Sequence, residues 1–149
     1  MKVLIRNHQR LIRINLRKIK KDSLRLLRLF TLDRAELGVI LAGDTRIKHL
    51  NASYRGVNDT TDVLSFPIYN ARGEIPTDRH FLLGDIVINP VAAKRQSSLY
   101  GAPLDKEMQR LLIHGFLHLL GYDHEKNKYQ AKKMKKEERR LQHALETMD

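Results

Sequence analysis

Apolar residues occur along the chain in short runs and at helical spacing, and this pattern predicts an alternation of strands and helices. The short runs predict four β-strands, at residues 3–5, 37–41, 63–67 and 83–88. Apolar positions three and four apart, together with helix start signals, predict five helices, at residues 16–30, 44–51, 90–100, 104–118 and from 127 onward. The order β-α-β-α-β-β-α-α-α indicates an α+β fold, with a small, mostly four-stranded sheet packed with about five helices.

Three helix starts carry recognisable capping residues. We expect Asp44 to cap the second helix, because its side chain can accept from the free N–H groups of a first turn. Asn89 followed by Pro90 is typical of an N-cap with proline at the first helical position. Asn127, with Gln130 three residues later, resembles a capping box and should begin the last helix.

The composition fits one domain without disulfides or membrane spans. The 149 residues predict a single domain, 1–149, with a modest core. There is no cysteine, which excludes disulfides, thiolate metal ligands and cysteine nucleophiles. No apolar run approaches the roughly 18 residues of a membrane span, and Lys2, Arg6 and Arg10 interrupt any signal-peptide core. We therefore expect a cytoplasmic protein with no membrane partner.

Positive charge is concentrated at the two ends of the chain. The net charge is +11. Residues 1–28 hold ten Lys and Arg against one acid, residues 126–149 hold eight against four, and residues 29–125 hold ten against twelve. A basic excess of this size favours polyanionic partners, through phosphate contacts and counterion release. The alternative explanation of each Lys/Arg run is a solvated helix face.

Three histidines form the strongest chemical pattern in the chain. His114 and His118 lie four residues apart in a predicted helix, so their imidazoles share one face. His124 lies six residues further on, and an unbroken helix would turn it about 120° away. Gly121 lies between them and can adopt the left-handed conformation that ends helices, which would return His124 toward the other two. Three histidines without a fourth protein ligand leave one position open, as in catalytic zinc sites.

The same spacing is found in metzincin peptidases. Those enzymes carry a glutamate general base directly after the first histidine, where this chain has Gly115. Glycine inside a helix costs about 1 kcal/mol relative to alanine, so we expect close packing or binding at this position. Zinc lowers the pKa of coordinated water to about 7, so a nucleophile is available without a strong protein base. The missing glutamate therefore argues more strongly against a peptidase than against metal-assisted hydrolysis in general.

The stretch 114–124, HGFLHLLGYDH, resembles the signature of the YbeY family of metal-dependent endoribonucleases. Three upstream stretches match the pattern of that family in the same order, at residues 50–56, 61–67 and 83–88. The resemblance implies a zincin-like fold and one Zn²⁺ per chain, bound by His114, His118 and His124. The last helix departs from the pattern, because it is strongly basic where an acidic or mixed helix is expected.

The resemblance also implies a reaction and its partners. It implies cleavage of single-stranded RNA in ribosomal RNA maturation, including the 3′ end of small-subunit rRNA, and a part in ribosome quality control. The expected partners are rRNA and the ribosome or its small subunit, with no preference for DNA. It assigns an important arginine to Arg55. A guanidinium suits this role, since it is always charged and binds phosphate oxygens in a bidentate manner.

Other polar residues are weaker candidates. Asp123 and Asp85 could orient a ligand imidazole, or equally cap a helix or a turn. The remaining histidines lack ligand spacing and should lie at the surface: His8, His49, His80 and His143.

Three functions remain open at this point. The first is a zinc-dependent endoribonuclease, favoured by the charge, Arg55 and the resemblance. The second is a zinc metallopeptidase, favoured by the histidine spacing and opposed by Gly115. The third is a non-catalytic RNA- or ribosome-binding protein whose metal only stabilises the fold.

Overall fold

The computed structural model describes residues 1–148, and these contain the four strands and five helices that the sequence predicts. The strands are β1 (Lys2–Asn7), β2 (Ala35–Leu41), β3 (Val63–Pro67) and β4 (Phe81–Ile88). The helices are α1 (Leu16–Leu29), α2 (Asp44–Arg55), α3 (Pro90–Tyr100), α4 (Leu104–Leu119) and α5 (Lys128–Thr147). No helix among the described residues is long and apolar enough to cross a membrane.

The strands form one mixed sheet in the order β1-β2-β4-β3. β1, β2 and β4 are parallel, and β3 pairs with β4 in the antiparallel direction at one edge. Pro67 is the last residue of this edge strand, where a missing N–H does not interrupt a central ladder. The mixed sheet with its five helices confirms the predicted α+β fold.

Helices cover the two faces of the sheet unequally. α4 lies across β3 and β4, and it also contacts α1, α3 and α5. Leu37, Ile86 and Phe116 are fully buried in the large core on this face. α2 lies on the opposite face, where Ile47 packs in a smaller cluster with Leu64 of β3. The histidine helix is therefore supported by the largest part of the hydrophobic core.

α4 approaches the sheet most closely at Gly115. A Cβ atom built on this glycine would lie 2.6 Å from Cγ2 of Ile86 and 3.2 Å from Oγ of Ser65. The Ser65 hydroxyl donates a hydrogen bond of 2.9 Å to the Gly115 carbonyl. The close packing expected at this glycine is confirmed, and it explains why a residue unfavourable to helices stands inside α4.

The predicted caps are confirmed at two helices and wrong at one. The side chains of Asn89 and Asn127 accept hydrogen bonds from the first turns of α3 and α5. Gly43 takes the N-cap position of α2, and Asp44 is its first helical residue. The Asp44 carboxylate instead accepts hydrogen bonds from Arg95 and from the amide of Asn89.

Candidate metal centre

The three histidines converge at the C-terminal end of α4. His114 and His118 occupy its last two turns, and α4 ends at Leu119. Gly121 follows with φ of +96°, a conformation that glycine adopts readily, and the chain turns back so that His124 reaches the other two. One ring nitrogen from each histidine lies within 4.8 Å of the others. The predicted turn at Gly121 thus brings together residues that an unbroken helix would separate.

The chemistry of this cluster fits one divalent metal ion. The Nε2 atoms of His114 and His118 are 3.1 Å apart, so both imidazoles direct a nitrogen to the same point. Burial, followed by the proximity of His114 and His124, lowers the pKa of His118. A lowered pKa keeps the imidazole neutral, which is the form that binds metals. No carboxylate joins the cluster in the described part of the chain, so an ion held by the three histidines would keep a coordination position for water or substrate.

Glu138 of α5 orients one of these imidazoles, and sequence reasoning missed it. Its Oε1 atom is 2.8 Å from Nδ1 of His114, and the carboxylate can fix the tautomer that directs Nε2 toward the cluster. A signal was present in the sequence. The buried residues of α5 are Met134, Leu141 and Leu145. Glu138 lies four residues after Met134 and three before Leu141, so it belongs to the same face of the helix. A glutamate on an apolar helix face usually has a buried partner.

Neither of the two aspartates proposed to orient a ligand forms a hydrogen bond with a histidine in the described part of the chain. Asp85 points away from α4, because its neighbours Gly84 and Ile86 face that helix and strand side chains alternate. Asp123 borders the cavity at the histidines, but its carboxylate accepts a hydrogen bond from the N–H of Glu125. It is therefore a turn residue. The remaining histidines lie at the surface as expected: His8, His49, His80 and His143 are all exposed.

Arg55 lies beside the histidines in an open cavity of about 390 Å³. It is the last residue of α2, which ends where Gly56 adopts the left-handed conformation. Its side chain is about half exposed, and its Nη2 atom is 3.7 Å from Oε1 of Glu125. The same oxygen lies 3.8 Å from Nε2 of His124. A fixed positive charge therefore borders the position where three imidazoles converge.

Comparison with known proteins gives consistent sequence matches. A family model described as Endoribonuclease YbeY matches residues 4–146. The Endoribonuclease YbeY of Persephonella marina is 42% identical over 116 residues, which are 78% of this chain and 74% of that protein. The Endoribonuclease YbeY of Aquifex aeolicus is 38% identical over 130 residues, and the match covers 84% of this chain and 83% of that protein. One from Rhodopseudomonas palustris is 45% identical over 93 residues, and the match spans 62% of this chain and 55% of that relative.

A solved structure shares the fold. The solution structure of TM1509 from Thermotoga maritima matches 96% of this chain and 88% of its own, with a TM-score of 0.66 and 23% sequence identity. At that identity the likeness concerns the fold alone, and it supports the arrangement of sheet and helices described above. The family assignment depends on the sequence matches, above all on the family model that covers residues 4–146. The chain belongs to the Endoribonuclease YbeY family.

Proposed function

We propose that this chain is a metal-dependent endoribonuclease that cleaves single-stranded RNA, with one Zn²⁺ as its metal. The observation that carries the proposal is the convergence of three imidazoles and one guanidinium around a single open cavity. A bound divalent ion would supply Lewis acidity toward a phosphodiester. Family membership supports the same reaction, since the relatives are named endoribonucleases.

The residues of the site divide the work among them. His114, His118 and His124 would hold the ion, and Glu138 would keep the His114 ring in the binding orientation. Arg55 would bind a non-bridging phosphate oxygen and stabilise the charge that develops during cleavage. Because the cavity is open and borders the edge strand β3, an unstacked nucleotide of a single strand could enter it. Such nucleotides are the usual targets of sequence-selective RNA proteins.

A metallopeptidase is the second candidate, because the histidine spacing is that of metzincins. Gly115 opposes it on steric grounds. A side chain at this position would collide with Ile86 and Ser65, so the general-base glutamate of those enzymes has no room here. The exposed basic residues also favour a polyanion over a peptide as substrate.

The proposal extends to ribosomal RNA. We infer a role in maturation of the small-subunit rRNA 3′ end and in ribosome quality control, with the ribosome or its small subunit as partner and a cytoplasmic location. The support is family membership together with a net charge of +11, which favours association with large RNAs.

The deciding experiment compares substrates for the same metal-loaded protein. We expect cleavage of a single-stranded RNA, slower cleavage of its duplex, and no cleavage of casein or of single-stranded DNA of the same sequence. Protein treated with a chelator and the His118→Ala variant serve as controls, and activity should return to the treated wild type on addition of Zn²⁺. Cleavage of casein but not RNA would contradict the proposal, and so would RNA cleavage that survives in His118→Ala.

A further inference from the structure

The outer face of α5 carries a row of cations. Lys132, Lys135, Lys136 and Arg139 are all exposed, and their spacing of three, four and seven residues places them on one face of the helix. We call these four residues the α5 cationic stripe. At 1.5 Å per residue they extend over about 10 Å of the helix axis.

The acidic residues of α5 do not neutralise this stripe. Glu137 bonds to Arg140 and Glu138 to His114, and their side chains are only 18% and 22% exposed. Residues 126–145 contain no other acid. No ion pair joins any of the four stripe residues to an acid among residues 1–148. The helix therefore separates its charges, with glutamates committed inward and lysines and arginine left to solvent.

The stripe lies on the same helix as Glu138, the residue that contacts His114. Lys135 precedes Glu138 by three residues and Arg139 follows it by one, so both lie within one helical turn of this glutamate along the helix axis. Tyr129 lies three residues before Lys132, and its ring is 70% exposed. An exposed aromatic ring beside a row of cations is typical of surfaces that bind single-stranded nucleic acids, where bases stack and phosphates pair with cations.

We propose that the α5 cationic stripe binds the phosphate backbone of the RNA substrate and leads the strand to the cavity at the histidines. This inference depends on the proposed function, because it assigns the stripe to the RNA that the metal centre would cleave. Lys132, Lys135, Lys136 and Arg139 contact successive phosphates, and Tyr129 stacks with a base at the distal end. The stripe supplies affinity and direction, and it takes no part in the bond-breaking step.

The test measures RNA binding as a function of salt. All four stripe residues are changed to glutamine, which removes charge and keeps helix propensity. The matched control changes Arg10, Arg13, Arg17 and Lys20 to glutamine, since these are also exposed and the net charge falls by the same amount. Both sets are made in metal-loaded Arg55→Ala protein to preserve the RNA, and a gel verifies that the RNA stays intact. Fluorescence anisotropy gives the affinity for a single-stranded RNA from about 50 to 200 mM salt.

We expect the stripe variant alone to lose salt dependence. Each phosphate contact on a single strand contributes about 0.7 to the slope of log K against log salt, so the slope should fall by about 2–3, while the control keeps the slope of the parent. An unchanged slope in the stripe variant would overturn the inference. Equal losses in both variants would also overturn it, since they would reflect net charge only.

Two further comparisons keep the result interpretable. If the fourfold stripe variant does not fold, as judged by circular dichroism, Lys132→Gln/Lys136→Gln and Lys135→Gln/Arg139→Gln should each lose about half of the slope change. If the wild type cleaves single-stranded RNA but the stripe variant keeps the slope of its parent, the role of the stripe is refuted and the proposed function stands. If the stripe variant loses slope but the wild type cleaves no RNA, the proposed function is refuted and the stripe remains an RNA-binding surface.

Discussion

Glu138 and Arg55 border the histidine cluster from different elements, and we propose a distinct role for each. Glu138 contacts a ring nitrogen that faces away from the cluster, so it acts on the geometry of His114. Arg55 faces the same cavity, where it pairs with the exposed Glu125, so its guanidinium can reach a substrate that enters. Changes at the two positions should therefore separate metal affinity from cleavage rate.

Removal of the Glu138 carboxylate should weaken metal binding. We expect Glu138→Ala to lower Zn²⁺ affinity by about 10–100-fold, the usual effect of losing a partner that orients a ligand histidine. Glu138→Gln should recover part of this affinity, because its amide oxygen can still accept from Nδ1. Competition with a fluorescent chelator gives the dissociation constants. Glu137→Ala is the matched control on the same helix turn, and an equal loss in that variant would indicate a general effect on α5.

Removal of the Arg55 guanidinium should affect the reaction more than the metal. If Arg55 stabilises charge on the phosphoryl group, Arg55→Ala should lose about 3–4 kcal/mol of transition-state stabilisation, or several hundred-fold in rate, by analogy with oxyanion-hole donors. Arg55→Lys should recover only part, since an ammonium group lacks the bidentate geometry. Single-turnover cleavage with enzyme in excess measures the rate.

Metal content should be verified in each Arg55 variant before the rates are compared. Arg46→Ala is the control, since this arginine is exposed on the same helix and lies outside the cavity at the histidines. A rate for Arg55→Ala near that of the wild type would exclude the assigned role.

At the residue scale, the sequence predicts contacts that are local and misses those that are not. The histidine cluster was predictable because helix geometry and one glycine fix three residues within eleven positions. The contact of Glu138 joins two helices across 24 residues, and no local pattern specifies how α5 docks on α4. Asp85 was a wrong candidate because alternation places it opposite Gly84 and Ile86, and the sequence does not tell which face α4 covers.

A polar network at the start of α2 holds the helix that ends in Arg55. Asp44 accepts hydrogen bonds from both Nη atoms of Arg95 and from Nδ2 of Asn89, the N-cap of α3. The Thr60 hydroxyl donates to the same carboxylate over 3.2 Å. These contacts join α2, α3 and the segment before β3, so they position one wall of the cavity.

The Asp44 network should make stability depend on acidic pH. Hydrogen bonds from Arg95 and then Asn89 lower the pKa of Asp44 from 3.8 to about 2. A carboxyl with a lowered pKa stabilises the fold above its ordinary pKa, and this contribution is lost as the pH falls from 3.8 to about 2. Because the pair is substantially exposed, we expect Asp44→Asn to cost only about 1 kcal/mol at neutral pH.

Urea denaturation of wild type and Asp44→Asn between pH 2 and 7 provides the measurement. The difference in the free energy of unfolding should fall steeply between about pH 4 and pH 2, and it should also shrink in high salt. Asp78→Asn is the control, because this carboxyl is 80% exposed and pairs with the neighbouring Arg79. A difference that persists unchanged at pH 2 would mean that Asp44 acts through packing.

Element boundaries were predictable where side chains cap helices or hydrophobic periods change. The Asn89 and Asn127 caps and the four strand runs are of this kind. Asp44 was assigned to the wrong position because an aspartate is favourable both at the N-cap and in the first turn. Its true partners, Arg95 and Asn89, come from α3, and only the folded chain brings them to α2.

For the whole molecule, a metal ion bound at the histidine cluster would couple metal binding to folding. His114 and His118 belong to α4, His124 to the segment after it, and Glu138 to α5. An ion bound by the three histidines would hold these segments together, and the unfolded chain offers no such arrangement. Anything that binds only the native state stabilises it by RT ln(1 + [L]/Kd).

This coupling predicts a thermal shift that depends on the intact cluster. With free Zn²⁺ at 100 times its Kd, the free energy of unfolding should rise by about 2.7 kcal/mol. A chain of this size changes its Tm by about 2–4 °C per kcal/mol, so Tm should rise by roughly 5–10 °C. Differential scanning calorimetry of chelator-treated protein, with and without added Zn²⁺, measures this shift. His118→Ala should show almost none, and His143→Ala, which changes an exposed histidine of α5, should keep the full shift. Equal shifts in wild type and His118→Ala would mean that zinc stabilises the protein at some other place.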